Sequence, residues 1–465
     1  MKNLRLFLFT LRQRIAKLRF LSWLSIPLPG IVNIIYGQYI KGLLFFLAEF
    51  WFWIICFPTF GLAQLRQLAS LGETPRRAVL QPDGTAILQG DNSLQILLFS
   101  IFIIAMAVAA ILIWVAAVKS ARLAEKELQV GRRPTSFWQD LKNLFDKNLH
   151  ITMLSLPTIG VIAFTVLPII FMICLAFTNF NGTNLPPTKL FSWTGLDTFR
   201  QVFGSSAGMN EHEAVVAAKK AYTFGSLIGW TLIWAVFATF LNYIFGMLIS
   251  LMINKKGIKL KGVFRACFVL AIAVPAFVTL QFMRQLLMEK GVINTLLLNW
   301  GIIKESIRFL DNTLLARITV IVVNLWIGIP YTILITSGIL MNIPADLYEA
   351  ASIDGAGPFK KFTNITLPYM LAVTTPYLIT QFIGNINNFN AIYLLTQGYP
   401  LTQKLYEAGQ TDLLVTWLYK LSITSQYKDF NIASVIGICT FVICATLSLV
   451  TYNITSSKKK EATFR

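Results

Sequence analysis

Apolar residues gather into long runs separated by short polar stretches, and this alternation dominates the chain. A bilayer core about 30 Å thick needs roughly 20 apolar residues of helix. Eight stretches meet that length, at 42–62, 94–118, 154–177, 225–251, 263–287, 318–340, 374–395 and 432–452. The pattern predicts an all-α integral membrane protein with eight transmembrane helices. A further apolar run, Phe20 to Ile40, follows a basic leader and has the outline of a signal peptide or a ninth span. Pro27, Pro29, Gly30 and Gly37 interrupt it and no small-residue cleavage site follows. Residues 1–41 therefore read as an interfacial cytoplasmic segment.

Basic residues fall on alternate sides of these runs. Residues 1–41 hold seven Lys/Arg, 119–150 hold seven more, and 252–262 hold Lys255, Lys256, Lys259 and Lys261, with Lys458, Lys459, Lys460 and Arg465 in the tail. The intervening loops 63–93, 178–224, 288–317 and 396–431 hold three, four, four and three, nearly balanced by acids. Lys and Arg collect on cytoplasmic flanks, so both termini are expected in the cytoplasm, as an even span count requires. The same rule accounts for a net charge of +19 in a chain that is 55% hydrophobic and only 13% charged, without invoking nucleic acid. The charged linker from Lys119 to His150 separates two leading spans, 42–150 with the linker, from a six-span core over 151–453. Residues 454–465 form a basic tail. The loop 178–224 is the longest between spans, yet has room for only a small folded unit.

Composition then narrows the chemistry. Cys56, Cys174, Cys267, Cys439 and Cys444 all lie in apolar runs without metal-ligand spacing and read as small apolar fillers. With His150 and His212 the only histidines, zinc or haem chemistry has almost no material. No Gly-x-x-x-x-Gly-Lys-Ser/Thr loop occurs, so any nucleotide hydrolysis belongs to another chain. No catalytic residue, metal or cofactor is expected.

One predicted cytoplasmic loop, 341–373, carries only Lys360 and Lys361 as basic residues and is largely apolar. Pro344 suits a first helical position, with Leu347, Ala350, Ala351 and Ile353 then on one side of a short helix. Gly355-Ala356-Gly357 supplies a turn, and Pro358 starts a second short helix with Phe359, Phe362 and Ile365 on its apolar face. Two interfacial helices resting on lipid would satisfy that composition equally well.

The spacing goes further. Glu349-Ala350-Ala351, three residues, Gly355, nine residues, Ile365, one residue and Leu367-Pro368 resembles the EAA signature of ABC importer permeases. In that family the short helices couple to a cleft on the ATPase subunit, which carries Glu349, Ala351 and Gly355 over as coupling positions. The resemblance covers roughly 154–452. Gly195-Leu196-Asp197-Thr198-Phe199 is similar to the external segment before the second core span of the sugar permeases. Ala273-Val274-Pro275, Asn324 to Tyr331, Asn387-Asn388-Phe389 and Gln410 to Val415 resemble the maltose/maltodextrin branch, as do the two leading spans. The short loop 178–224 departs from the Gram-negative members, which insert a large external domain there, and resembles the Gram-positive form. The resemblance implies a type I importer fold in a bacterial cell membrane and four kinds of partner. These are a second, MalG-like permease subunit, a dimer of ATP-binding subunits docking on the EAA loop, an extracellular sugar-binding protein and an oligosaccharide; lipid surrounds the whole.

Polar residues within spans mark sites by default. Gln381, Asn385 and Asn388 fall at helical spacing along one stripe, with Asn387 and Asn390 beside it. Asn324 and Tyr331 flank Gly328-Ile329-Pro330, a break that would free backbone carbonyls into a cavity. Neutral amides and aromatic faces suit a sugar, although the same amides can serve as interhelical glue. By resemblance Asn324, Gly328, Tyr331, Asn385 and Asn388 match sugar-lining positions. Ile272, Ala276 and Gly384 depart from a tyrosine, a serine and a phenylalanine in the maltose permeases, which implies a roomier, less polar pocket passing oligosaccharides of several lengths. Glu49 is expected to serve helix pairing and Arg284 to anchor at the membrane surface. An ion-coupled transporter would hold midplane carboxylates, and spans three to eight contain no Asp or Glu. A membrane enzyme would need a cluster of acids, histidines or a nucleophile, and none occurs.

Overall fold

The computed structural model describes residues 9–13, 24–74, 77–80, 86–186, 188–205, 208–255 and 257–455. Most of the basic leader, Lys256, and the tail with Lys458, Lys459, Lys460 and Arg465 lie outside these residues. The regular structure of the described residues is helical apart from isolated bridges and one short antiparallel hairpin, in which Arg77–Leu80 pairs with Ala86–Gln89.

Among the described residues six helices are long and apolar enough to cross a membrane: Tyr39–Ala69, Ser93–Gln129, Leu149–Ala176, Glu211–Asn254, Thr313–Met341 and Phe430–Asn453. The other two expected stretches are divided. The run 263–287 forms Lys261–Ala273 and Ala276–Leu287, separated where Val274 is extended (φ −78°, ψ 120°) ahead of Pro275. A residue before proline is pushed out of the helical region, so Ala273-Val274-Pro275 marks a break in the helix. Taking that bent pair as one span raises the count to seven. The run 374–395 forms Leu367–Ile386 and Phe389–Leu395, with Asn387 and Asn388 between.

Several helices outrun their apolar windows. Glu211–Asn254 begins well before residue 225 because Asn210 and Glu213 form a capping box, each side chain accepting from the other's backbone N–H. Ser93–Gln129 likewise carries the linker forward as helix beyond residue 118.

The chain divides into two compact units, Met1–Thr194 and Gly195–Arg465. In the first, the apolar run up to Ile40 is no single helix. Gly30 and Gly37 have φ of +86° and +95° and flank the five-residue helix Ile31–Ile35. Gly30 packs so closely on Tyr39–Phe50 that a Cβ there would sit 2.2 Å from the Gly42 carbonyl oxygen. Ala121 and Ala124 of Ser93–Gln129 bury Val32 and Tyr36. Leu149–Ala176, expected as the first span of the six-span core, belongs to this unit.

In the second unit, Glu211–Asn254 packs along Thr313–Met341 and Leu367–Ile386. Trp230, Trp234, Ala238, Leu280, Val320 and Ile392 form its core. Both indoles have their N–H satisfied, Trp230 by the Thr411 carbonyl at 3.1 Å and Trp234 by the Asn385 carbonyl at 3.0 Å.

Candidate functional site

Glu211–Asn254, Thr313–Met341 and Leu367–Ile386 enclose a cavity of about 420 Å³ whose wall includes Thr239, Asn242, Gly328, Tyr331, Tyr377 and Gln381. No charged side chain lines it. Hydroxyls, amides and phenols offer both donors and acceptors, a set matched to an uncharged, hydroxyl-rich solute. Asn242 donates to the Ala238 carbonyl at 2.7 Å, while its buried Oδ1 has no partner among the described residues.

Thr313–Met341 runs unbroken through Gly328-Ile329-Pro330, so the expected break does not form. Pro330 withholds one backbone donor, and the Thr332 hydroxyl adds a bond to the Gly328 carbonyl at 3.2 Å. Neighbouring helices make such prolines tolerable inside a membrane helix.

Of the sugar-lining positions expected, Gly328 and Tyr331 stand in the cavity wall. Asn324 is buried on the same helix. Asn385 is buried and donates to Thr239 Oγ1 at 3.0 Å. Asn388 donates to Asn385 Oδ1 at 3.3 Å, and its own Oδ1 accepts from the Ala391 N–H at 3.1 Å, capping Phe389–Leu395. Neither Asn324, Asn385 nor Asn388 lines this cavity, and neither do Ile272, Ala276 and Gly384. The wall residues left unremarked in the sequence, Thr239 and Asn242, did carry a signal: they lie one turn apart within an apolar span.

The loop 341–373 keeps its first short helix, Ala345–Ile353, with Pro344 immediately before it. Gly355 turns the chain at φ +72°. The second helix is not separate. From Pro358 it continues through a wide π-type turn, Phe362–Thr366, into Leu367–Ile386. Tyr348 and Thr366 share a hydroxyl bond at 2.8 Å and Lys361 donates to Ser352 Oγ at 2.6 Å, fixing the angle between the two helices. Glu349 is exposed, and Ile353 and Phe359 are 87% and 77% exposed. Ala351 is half-buried. The corner is held by these bonds and exposes Ile353 and Phe359 beside Glu349.

Two arginines are held by amides. Arg284, expected as a membrane-surface anchor, donates to Gln397 Oε1 at 3.1 Å. Arg265, inside the run 263–287, bonds Asn254 Oδ1. In the segment after residue 396, fully buried Asp412 accepts from Lys420 Nζ at 2.5 Å and from the Gly409 N–H at 2.7 Å. Burial pushes the Asp412 carboxyl up and Lys420 draws it back down.

A multi-pass helical bundle with an uncharged polar cavity and an exposed apolar corner defines a membrane transport component. Residues 242–460 match the family described as binding-protein-dependent transport system inner membrane component. The chain is 32% identical over 436 residues to the maltodextrin transport system permease protein MalC of Streptococcus pneumoniae, covering 91% of this chain and 93% of that one. It is 30% identical to the galactooligosaccharides transport system permease protein GanP of Bacillus subtilis, covering 94% and 97%. Vibrio cholerae MalF is 37% identical over 235 residues, 50% of this chain and 44% of its own. A bacterial ABC transporter involved in alginate import has the same fold, with a TM-score of 0.53 at 23% identity over 69% of this chain and 98% of that one. The chain belongs to this family of permease subunits of ABC importers. It is a transport subunit and not an enzyme.

Proposed function

We propose that this permease subunit passes oligosaccharides, maltose and maltodextrins foremost, delivered by an extracellular binding protein. The uncharged cavity around Tyr331, Gln381 and Asn242 carries the reading, because its donors and acceptors suit sugar hydroxyls and its phenol rings suit sugar C–H faces. The likeness to the maltodextrin permease MalC over most of both chains supports the substrate. The likeness to GanP favours a second reading, another neutral oligosaccharide.

Gly328 and Tyr331 are assigned to sugar contact, with Asn324, Asn385 and Asn388 as the buried amides behind them. Glu349, Ala351 and Gly355 form the coupling corner for an ATPase dimer, and a second, MalG-like permease subunit completes the pathway. In this reading eight spans cross the membrane, the two leading ones within 42–150 and the six-span core over 151–453. Both termini are cytoplasmic, with 1–41 on the membrane surface and 454–465 as a basic tail.

The test is uptake by the reconstituted complex of maltose, longer maltodextrins and galactooligosaccharides. Transport of maltodextrins of several lengths supports the reading. Transport of galactooligosaccharides with rejection of every maltodextrin selects the alternative, and rejection of all neutral oligosaccharides overturns both.

A further inference from the structure

The first compact unit contains a second cavity, of about 560 Å³, walled by Glu49, Phe46, Phe50, Trp53 and Trp114 with Ile111 at its lip. Glu49 lies about a third of the way along an apolar, membrane-length helix, Tyr39–Ala69, yet it is only 4% exposed. Its Oε2 accepts the Trp53 indole N–H at 2.9 Å, while the buried Oε1 has no partner among the described residues. Among the described residues no Lys, Arg or His lines the cavity. The Trp114 indole N–H is already committed to the Ile26 carbonyl at 2.8 Å. A buried acid oxygen without a donor is costly, and a ligand that brings one relieves that cost.

The rest of the wall specifies the ligand. Four aromatic side chains surround the acid, and aromatic faces attract a cation most strongly where water is excluded. Its outer side carries exposed apolar side chains, with Phe50 44%, Ile54 60% and Ile111 44% exposed. We propose that this cavity binds a protonated amine carried on an apolar body. The ammonium donates to Glu49 Oε1 within the aromatic wall, and the apolar part lies along Ile54 and Ile111. An aminophospholipid headgroup and a free lipophilic amine share this chemistry. The site is separate from the cavity for the transported solute and does not depend on its identity.

The test uses the full chain in phosphatidylglycerol nanodiscs and, as probe, a dodecylammonium bearing a terminal diazirine. Crosslinks are expected on residues 26–29, 46–54 and 111–114, competed by dodecylammonium and not by dodecanol. Glu49→Gln is expected to weaken probe binding about tenfold or more by removing the charge-assisted bond. Ile111→Trp, which fills the lip and keeps the acid, is expected to abolish labelling. Size-exclusion elution and thermal unfolding report whether each variant folds; if neither does, the competition on the unaltered chain decides alone. Equal competition by dodecanol, full labelling of folded Glu49→Gln, or crosslinks confined to other helices overturns the proposal. Repeating the labelling with phosphatidylethanolamine present assigns the source: suppression means the lipid headgroup and persistence means a free amine, and each supports the site.

Discussion

Gly328 and Asn242 meet face to face in the cavity wall: a Cβ on Gly328 would lie 2.4 Å from Asn242 Nδ2 and 2.6 Å from its Oδ1. The amide is held in that position by the Ala238 carbonyl. Any side chain at 328 must therefore turn the amide away from its helix or push the two helices apart.

Gly328→Ala is expected to lower stability by ~1 kcal/mol, one displaced hydrogen bond, and to slow transport by a factor of about five. Adding Asn242→Ala should restore the room at 328, so the double variant loses less than the two single losses combined. Uptake by reconstituted complexes in a double-mutant cycle checks this, and strict additivity would mean that the two side chains do not meet.

Tyr331 and Asn388 should separate. Tyr331→Ala, in the cavity wall and half exposed, is expected to reduce uptake without altering the melting temperature. Asn388→Ala removes a helix cap and is expected to lower stability by ~1 kcal/mol as well. Asn388→Ser keeps a capping oxygen and should recover the stability. Thermal unfolding beside uptake distinguishes the two positions.

A Cβ at Gly355 would meet nothing within 4 Å, so backbone conformation alone resists substitution there. At φ +72° most side chains cost ~1 kcal/mol or more, whereas Asn visits this region readily. Gly355→Leu is expected to impair sugar-stimulated ATP hydrolysis by the assembled complex, and Gly355→Asn to retain most of it. Equal loss in both would point to the side chain's surface and not to the turn.

Lys420→Met leaves Asp412 buried without its cation and is expected to cost ~3 kcal/mol or more. Adding Asp412→Asn should recover most of that. In Lys420→Met the Asp412 carboxyl loses the neighbour that lowers its pKa, so the folded value lies further above the unfolded one. The folded state then holds the proton more tightly. The deficit should be smallest below the unfolded value of ~4 and grow as pH rises towards the folded value. Melting temperatures across that range provide the measurement.

Much of this architecture is legible in the residues, and the exceptions have physical reasons. Apolar length locates six membrane helices directly, because the bilayer tolerates little else. One divided run turns on a single residue: Val274 yields to Pro275, whereas Pro330, in the same kind of apolar run, is absorbed by its helix. A local proline rule cannot distinguish these cases, since packing against neighbouring helices decides them. Asn388 shows the reverse difficulty, because an asparagine opening an apolar helical run is equally a cap signal and a sugar signal. The pairing of Gly328 with Asn242 lies beyond any single-chain pattern, as it depends on how Thr313–Met341 meets Glu211–Asn254.

At 1.5 Å per residue the 44 residues of Glu211–Asn254 reach about 66 Å, roughly twice the hydrocarbon thickness. Thr223 accepts from the Tyr406 N–H at 2.8 Å, Trp230 donates to Thr411, and Asn242 stands in the cavity wall. At the far end Asn254 holds Lys261 and Arg265. Those attachments share one uninterrupted rod with no proline in it. A displacement of residues 406–411 is therefore expected to be felt at the cavity lining and at the 254–265 corner, since one continuous helix carries all three attachments.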